Sequence, residues 1–386
     1  MKKELIPSFK NIFQEDCSRI YFAPGRVNLI GEHIDYNGGH VFPFALDFGT
    51  YLCCKDRDDK KVNLYSFNFP SVGITSFDLD DFSFQEQGSY SNYVKGVFAT
   101  FQKHGYEISH GFDVTIYGDI PGSGLSSSAA LEVAFCVLLN DSFSLNLSKT
   151  ELAVLAREAE VEFCHLNCGI MDQFASAHGK KDSAIYLDCS TLQYKYVPLS
   201  LTGYSLCIIN SNVKHSLVTS HYNERREECL KALSLLQQKT KVNNLCQLTK
   251  EAFKKLEGTL SDPILKKRAS FCVAEEQRTK DAFSALERDD FQTLGRLLTE
   301  SGKGLKEDYD ATCYEIDTLT DICLAQKGCL GARETGGGWG GNVLALLKDE
   351  EKESFQDEVK KEYLIKTGKN ADIHFVKPSE GGRRIL

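Results

Sequence analysis

The sequence predicts an α+β protein of two packed domains with a cleft between them, and three observations indicate this fold class. The chain has 386 residues, which exceeds one typical domain and is sufficient for two. Strand-like stretches with glycine and asparagine between them fill roughly the first 120 residues. Helical spacing of apolar residues dominates much of the remaining chain.

Four segments carry the strand pattern in the first part of the chain: RIYFAPGRVNLIGEH, GGHVFPFAL, KVNLYSFN and GFDVTIYGDIP. Apolar residues then recur at helical spacing from Leu131 to Leu138, which predicts a helix beginning among serines 126–128. A capping box from Ser148 to Glu151 predicts the start of a second helix. We expect that helix to end near Gly169.

The second half is predicted to be richer in helices, with a strand at SLCIINSN and a long polar helix at HYNERREECLKALSLLQQK. Further helices are expected near 262–286, 290–301 and 314–327, followed by a strand at VLALL, a charged helix at 350–367 and a strand at ADIHFV. We predict a boundary near residue 195, which gives domains at 1–195 and 196–386.

Composition and charge argue against several classes of protein. The formal net charge is −9 and the basic residues are scattered, so a nucleic-acid partner is not expected. No run approaches the 18 apolar residues of a membrane span, and the first residues lack the apolar core of a signal peptide. The fourteen cysteines show no paired metal or disulfide spacing and are interpreted as reduced thiols. These features predict a cytoplasmic protein.

A glycine-rich turn leads into the first predicted helix at 121–130, PGSGLSSSAA. Unpaired backbone N–H groups and the positive end of the helix dipole would face one point there, which suits a phosphate group. The segment lacks the lysine of a P-loop, and the motif set of protein kinases is missing from the sequence. A helix capped by serines is an equally good interpretation of this segment alone.

A second polar constellation lies at 25–36, GRVNLIGEHIDY, where Arg26, Glu32, His33 and Asp35 fall within ten residues. Two carboxylates, an imidazole and a guanidinium suit a ligand with many hydroxyl groups, which needs fixed donors and acceptors. An exposed charged turn explains the same pattern about as well.

Two further segments contain candidate functional residues. Asp172 lies in the turn GIMDQ, after a helix that carries Glu160. A carboxylate held near an arginine can accept a hydroxyl proton, and a second carboxylate can hold Mg²⁺. An ordinary helix cap is the alternative for Asp172. Five glycines in TGGGWGG at 335–341 permit close backbone approach, although a structural turn or a weak dinucleotide-binding pattern would look similar.

Taken together and in this order, the motifs resemble those of the galactokinases, within the superfamily of galactose, homoserine, mevalonate and phosphomevalonate kinases. The segment GRVNLIGEHIDYNGGHVFPFAL is similar to the galactokinase signature, GLSSSAALEVA to the ATP motif of the superfamily, and CGIMDQFAS to the segment around the catalytic base. The resemblance covers nearly the whole chain. Glu334, Trp339 and Asn342 depart from the usual residues of the last glycine-rich motif.

The resemblance implies a two-domain kinase fold with a left-handed βαβ crossover and the active site between the domains. It implies transfer of a phosphoryl group from ATP to the anomeric hydroxyl of galactose, with Mg²⁺. The implied catalytic residues are Asp172 and Arg26, and the implied metal ligands are Ser128 and Glu160. The implied sugar-binding residues are Glu32, His33, Ile34, Asp35, Gly169 and Tyr222. The implied nucleotide-binding residues are Ser66, Gly122, Ser123, Gly124, Leu125, Ser126, Ser127 and Ser128.

Three alternatives stay open at this point. A kinase for a related sugar such as N-acetylgalactosamine or arabinose would share most of these residues. A galactose sensor built on the same scaffold would bind sugar and ATP without turnover, and a dehydrogenase would use the glycine clusters. The sequence does not fix the oligomeric state, and a monomer is compatible with it.

Overall fold

The structure is a computed structural model that describes residues 4–85, 89–121, 124–213 and 218–386. Within these residues the strands form three sheets, of six, four and three strands. Helices pack on the sheets in both halves of the chain, which confirms the predicted α+β fold class. None of the described helices is both long and apolar enough to cross a membrane.

The six-stranded sheet contains most strands of the first half and has the order β13-β1-β3-β6-β4-β5. Its members are antiparallel except for β4 and β6, which run parallel and are connected through β5 and the helix Ser91–Lys103 (α2). The left hand expected for a βαβ crossover stays a prediction. The strands span Arg19–Asn28 (β1), Pro43–Asp56 (β3), Lys61–Ser66 (β4), Ile74–Asp78 (β5), Phe112–Gly118 (β6) and Arg383–Arg384 (β13).

Five helices accompany this sheet: Leu5–Phe13 (α1), Ser91–Lys103 (α2), Ser127–Ser142 (α3), Lys149–Glu158 (α4) and Met171–His178 (α5). Helix α3 is apolar on nearly every side, and ten of its sixteen residues are buried. It packs against β1, β3, α2, α4 and α5, so its first turn is held by the core. The glycine-rich segment leads directly into that first turn.

The three-stranded sheet has the order β2-β7-β8 and consists of His40–Val41 (β2), Ser183–Asp188 (β7) and Tyr194–Pro198 (β8). The four-stranded sheet belongs to the second half and has the order β10-β11-β9-β12. Its strands are Tyr204–Asn210 (β9), Cys329–Thr335 (β10), Asn342–Lys348 (β11) and Asp372–Val376 (β12).

Helices of the second half are Val218–Leu236 (α6), Lys250–Leu256 (α7), Pro263–Leu286 (α8), Phe291–Gly304 (α9), Tyr314–Ala325 (α10) and Lys352–Thr367 (α11). A shared apolar cluster joins the two halves: Val27 of β1 and Leu29, just after that strand, pack with Leu298 of α9 and Leu344 of β11. The end of β1 and the beginning of the following loop, which together carry the polar constellation, are therefore anchored where the halves meet.

Most predicted elements are present, and one predicted helix end is wrong. The capping box is formed, since Ser148 and Glu151 bond to each other's backbone N–H. The second helix does not continue to Gly169: α4 ends at Glu158 and widens into a π turn, Ala159–Phe163. The predicted boundary at residue 195 stays a prediction; that residue lies within β8, which pairs with β7.

Candidate active site

Arg26 and Asp172 form a two-pronged ion pair between β1 and the first turn of α5. Nε of Arg26 donates to Oδ1 of Asp172 at 2.8 Å, and Nη2 donates to Oδ2 at 2.8 Å. The third donor, Nη1, bonds to the backbone oxygen of Gly124 at 2.9 Å. Because a planar fork matches a carboxylate, the pair fixes the orientation of both side chains.

Residues 124–126 of the glycine-rich segment contact this pair. Gly124 and Ser126 adopt left-handed φ angles of 85° and 62°, and α3 begins at Ser127. The hydroxyl of Ser126 donates to Oδ2 of Asp172, and the backbone oxygen of Leu125 accepts from the N–H of Arg26. The turn therefore places the first N–H groups of α3 beside Asp172.

A buried acidic group lies behind this helix start. Glu160, in the π turn after α4, accepts a hydrogen bond from Nε2 of Gln173, and the same amide reaches Glu132 at 3.2 Å. Ser128 hydrogen bonds to Glu160, but burial still raises the pKa of Glu160. Burial and the nearby Glu160 raise the pKa of Glu132 well above its usual range. Within the described ranges, acidic, histidine and cysteine side chains nowhere converge in a group of three able to hold a metal ion.

The second glycine-rich loop, at 335–341, packs on the first, which leads into α3. A Cβ on Gly336 would lie 2.6 Å from the backbone oxygen of Gly124, so a side chain there would push the two loops apart. Oε1 of Glu32 accepts from the N–H of Gly336 and from Oγ1 of Thr335, both at 3.0 Å. The fully buried Arg333 also bonds to this oxygen, at 3.2 Å. One oxygen of Glu32 is thus used to hold the loop.

The remaining polar side chains of the constellation face the same space. His33 has a φ of 61°, and burial together with the positive charges of Arg225 and Arg333 lowers its pKa to about 3. Burial and the neighbouring Asp172 raise the pKa of Asp35 to about 6. These shifts follow from removing the charged form from water.

Gly169 lies against the carboxylate of Asp35. A Cβ on this glycine would be 1.8 Å from Oδ2 of Asp35, a separation that no side chain permits. Tyr222, on α6, packs its ring 5.5 Å from that of His33. Gly169, Asp35 and Tyr222 therefore share one wall of the site.

A cavity of about 270 Å³ connects these features. The site residues that were predicted from the sequence and that line this cavity are Arg26, Glu32, His33, Asp35, Gly124, Ser126, Ser127, Ser128, Glu160, Gly169, Asp172 and Tyr222. The sequence-based prediction did not include the further lining residues Leu166, Asn167, Cys168, Met171, Asn223, Gly336 and Gly337. The glycine cluster at 335–341 was a usable signal for the last two.

Three of the predicted residues that the structure describes do not line this cavity. The side chains of Ile34 and Leu125 are buried in apolar clusters, and Ser66 is buried at the end of β4. Gly122 and Ser123 lie outside the described residues. In addition, Arg333 was missed by the sequence-based prediction, since nothing local marks it as the partner of Glu32.

The residues that depart from the resemblance also have definite places. Glu334 is 1% exposed, and burial raises its pKa well above the usual range. The indole N–H of Trp339 donates to the backbone oxygen of Asp310 at 3.0 Å, and its ring lies 6.0 Å from His33. Trp339 therefore fixes the second glycine-rich loop against the wall that carries His33.

Comparison with known proteins identifies the family. Residues 7–56 match the family described as galactokinase galactose-binding signature, and residues 92–180 and 282–365 match GHMP kinases N terminal domain and GHMP kinases C terminal. The chain is 47% identical to a galactokinase of Clostridium acetobutylicum, covering 98% of this chain and 97% of that protein. It is 42% identical to a galactokinase of Fusobacterium nucleatum, with both chains fully covered.

Solved structures give the same result. The Lactococcus lactis galactokinase complexed with galactose superposes with a TM-score of 0.96 at 41% identity, covering 99% of each chain. A mevalonate kinase superposes with a TM-score of 0.66 at 18% identity, which indicates a shared fold only.

Proposed function

The chain belongs to the galactokinase family, and from that premise we propose that it transfers the γ-phosphoryl group of ATP to the anomeric hydroxyl of D-galactose, yielding α-D-galactose 1-phosphate and ADP. One observation carries the proposal. The Arg26–Asp172 pair, the start of α3 and the hydroxyl-binding constellation open into one cavity. The proposed phosphate-binding helix start and the proposed proton acceptor therefore face one small space.

Asp172 is the proposed acceptor for the proton of the anomeric hydroxyl. Arg26 holds its carboxylate in one orientation and supplies positive charge next to the group in transfer. Phosphoryl transfer depends more on positioning and charge neutralisation than on covalent chemistry. The two-pronged Arg26–Asp172 ion pair next to the N-terminus of α3 meets that requirement.

The nucleotide phosphates are proposed to bind backbone N–H groups of Gly122, Ser123, Gly124 and the serines at the start of α3; Gly122 and Ser123 lie outside the described residues. Ser66 is proposed to lie on the base or ribose side. Backbone donors and the helix dipole favour an anion at this point. Leu125 contributes backbone only, because its side chain belongs to the core.

Mg²⁺ is the implied counter-ion, and the residues present fit it. The hydroxyl of Ser128 and the carboxylate of Glu160 are hard oxygen donors on the cavity wall. Mg²⁺ commonly takes one or two protein oxygens and completes its shell with phosphates and water, so a larger protein cage is not required. When bound, the ion would neutralise phosphate charge. Glu160 would supply the negative charge that holds it.

Galactose is proposed to bind through Glu32, His33, Asp35, Gly169 and Tyr222. The side chain of Ile34 lies in the core, so its proposed contact with the sugar would come from the backbone. A cytosolic location and a monomeric state are part of the proposal. All fourteen cysteines are free thiols, which suits a reducing compartment.

The test is formation of galactose 1-phosphate by wild type and by Asp172→Asn. We expect the variant to lose roughly 10² to 10⁴ in kcat, while galactose affinity changes only a few-fold. Asp357→Asn is the matched control, because it makes the same charge change at an exposed position on α11. Equal use of glucose and galactose by wild type, or a fully active Asp172→Asn, would contradict the proposal.

A further inference from the structure

A line of hydrogen bonds runs from the sugar cavity into the core behind His33. Nδ1 of His33 lies 2.9 Å from Oη of Tyr36, and that oxygen lies 2.8 Å from Oη of Tyr309. Oη of Tyr309 in turn lies 3.2 Å from Sγ of Cys229 on α6. The line connects the loop after β1 to the π turn after α9 and to α6.

The other ring nitrogen of His33 has no such partner. Nε2 is buried and has no hydrogen-bond partner in the described part of the chain, while the residue lines the cavity. The low pKa of His33, about 3, keeps the imidazole neutral near pH 7. A neutral imidazole carries one N–H, so its two nitrogens take opposite roles.

The line of hydrogen bonds admits two directions, and they differ in their acceptors. In the first, Tyr36 donates to Nδ1, Tyr309 donates to Tyr36, and the proton of His33 sits on Nε2. In the second, Nδ1–H donates to Tyr36, and the last phenol must donate to the sulfur of Cys229. An imidazole nitrogen is a good acceptor for a phenol, whereas a thiol sulfur is a weak one. The first direction is therefore the more stable.

The residues that line the cavity also favour the Nε2–H tautomer of His33. Glu32, Asp35 and Asp172 are carboxylates that can accept hydrogen bonds from sugar hydroxyls, while three donor nitrogens of Arg26 already bond to Asp172 and Gly124. A hydroxyl that donates a hydrogen bond to a carboxylate still has lone pairs that can accept one. An N–H at Nε2 of His33 would supply that donor.

We propose that Tyr36 and Tyr309 are positioning residues that fix His33 as the Nε2–H tautomer, so that Nε2 donates to a hydroxyl oxygen of the bound sugar. This inference rests on the proposed function, because it takes the cavity to bind galactose. It adds two residues that do not line the cavity and act only through His33.

The first measurement is made without sugar. Nitrogen-15 NMR of histidine-labelled protein reports which ring nitrogen carries the proton, and a His33→Gln variant assigns the signal among the nine histidines. We expect wild type to show Nε2–H. Tyr36→Phe removes the donor to Nδ1 and should shift the ring toward the Nδ1–H form. Tyr309→Phe should shift it in the same direction by less.

The second measurement is galactose affinity by calorimetry. Losing a well-directed hydrogen bond to the sugar should raise Kd for galactose about tenfold in Tyr36→Phe, with Kd for ATP nearly unchanged. Tyr21→Phe is the matched control, because Tyr21 is fully buried and donates to Asp141, away from the cavity. It should lose comparable stability and leave both the tautomer and the galactose affinity unaltered.

The outcomes separate this inference from the proposed function. An Nδ1–H ring in wild type, or Tyr36→Phe and Tyr309→Phe variants that keep both tautomer and affinity, would overturn the role of the tyrosines. A wild type that fails to bind galactose would overturn the proposed function and the sugar contact of His33 with it. The tautomer measured in sugar-free protein would still decide whether Tyr36 and Tyr309 orient the ring.

Discussion

Gly169 offers the sharpest test of the sugar site, because Asp35 occupies the space in which a side chain would lie. A Cβ on Gly169 would be 1.8 Å from Oδ2 of Asp35 and 2.2 Å from its Cγ. Non-bonded heavy atoms rest at about 3.5 Å, so Gly169→Ala must displace the carboxylate, or its own loop, by about 1.5 Å. A misplacement of about 1 Å in such a site can cost about 100-fold. We expect kcat/KM for galactose to fall by about that factor.

The assay is kcat/KM for galactose together with galactose Kd by calorimetry, and Kd for ATP should change little. Gly258→Ala is the matched control, because a Cβ there meets nothing within 4 Å. If the effect passes through Asp35, Gly169→Ala should cost far less in an Asp35→Ala background, since contacting residues are not additive. Wild-type affinity in Gly169→Ala, or an equal loss in both backgrounds, would refute the reasoning.

Buried charges lead to three further predictions. Glu160→Gln should raise the Mg²⁺ concentration needed for half-maximal rate, because the proposed metal ligand loses its charge; a titration that overlays wild type would contradict this. Arg333→Met should lower the free energy of unfolding by about 3–5 kcal/mol in urea, since Glu32 would remain buried without its cation. Asp35 has a pKa of about 6 and is a stronger hydrogen-bond acceptor for sugar hydroxyls when it is ionised, so galactose affinity should rise with pH through 6 and then level off. Asp35→Asn should remove that dependence.

Elements with strong local signals could be predicted from the sequence, and those without them could not. The capping box of α4 depends on side chains within a few residues, and it is present. Helix α3 begins among the predicted serines, but Ser126 makes no side-chain cap and donates instead to Asp172, 46 residues away. Helix α2 was missed because it is buried on most sides and includes Lys95 and Asn92 among its buried residues, which hides the apolar stripe. The π turn after α4 was missed because one extra residue per turn leaves no mark in apolar spacing.

For the site, too, local motifs could be predicted from the sequence and contacts between distant residues could not. Residue types in the motifs predicted which side chains would carry chemistry, and most of them line the cavity. The contacts that hold them connect distant parts of the chain: Arg26 and Asp172 are 146 residues apart, and Arg333 and Glu32 are 301 apart. Pairing over such separations depends on how the halves pack, which one sequence does not reveal. Gly336 illustrates the limit, because its neighbour is the backbone of Gly124 in the other motif.

The hydrogen bonds around Asp172 bear on how it handles the proton. Its carboxylate already accepts two bonds from Arg26 and one from Ser126. A carboxylate offers about four lone-pair positions, so one is left for a substrate hydroxyl. Phosphoryl transfer through a loose transition state needs that hydroxyl oriented early and deprotonated late. Asparagine at position 172 would present N–H groups to donors on Arg26 and Ser126. The loss of rate in Asp172→Asn therefore measures orientation as well as basicity.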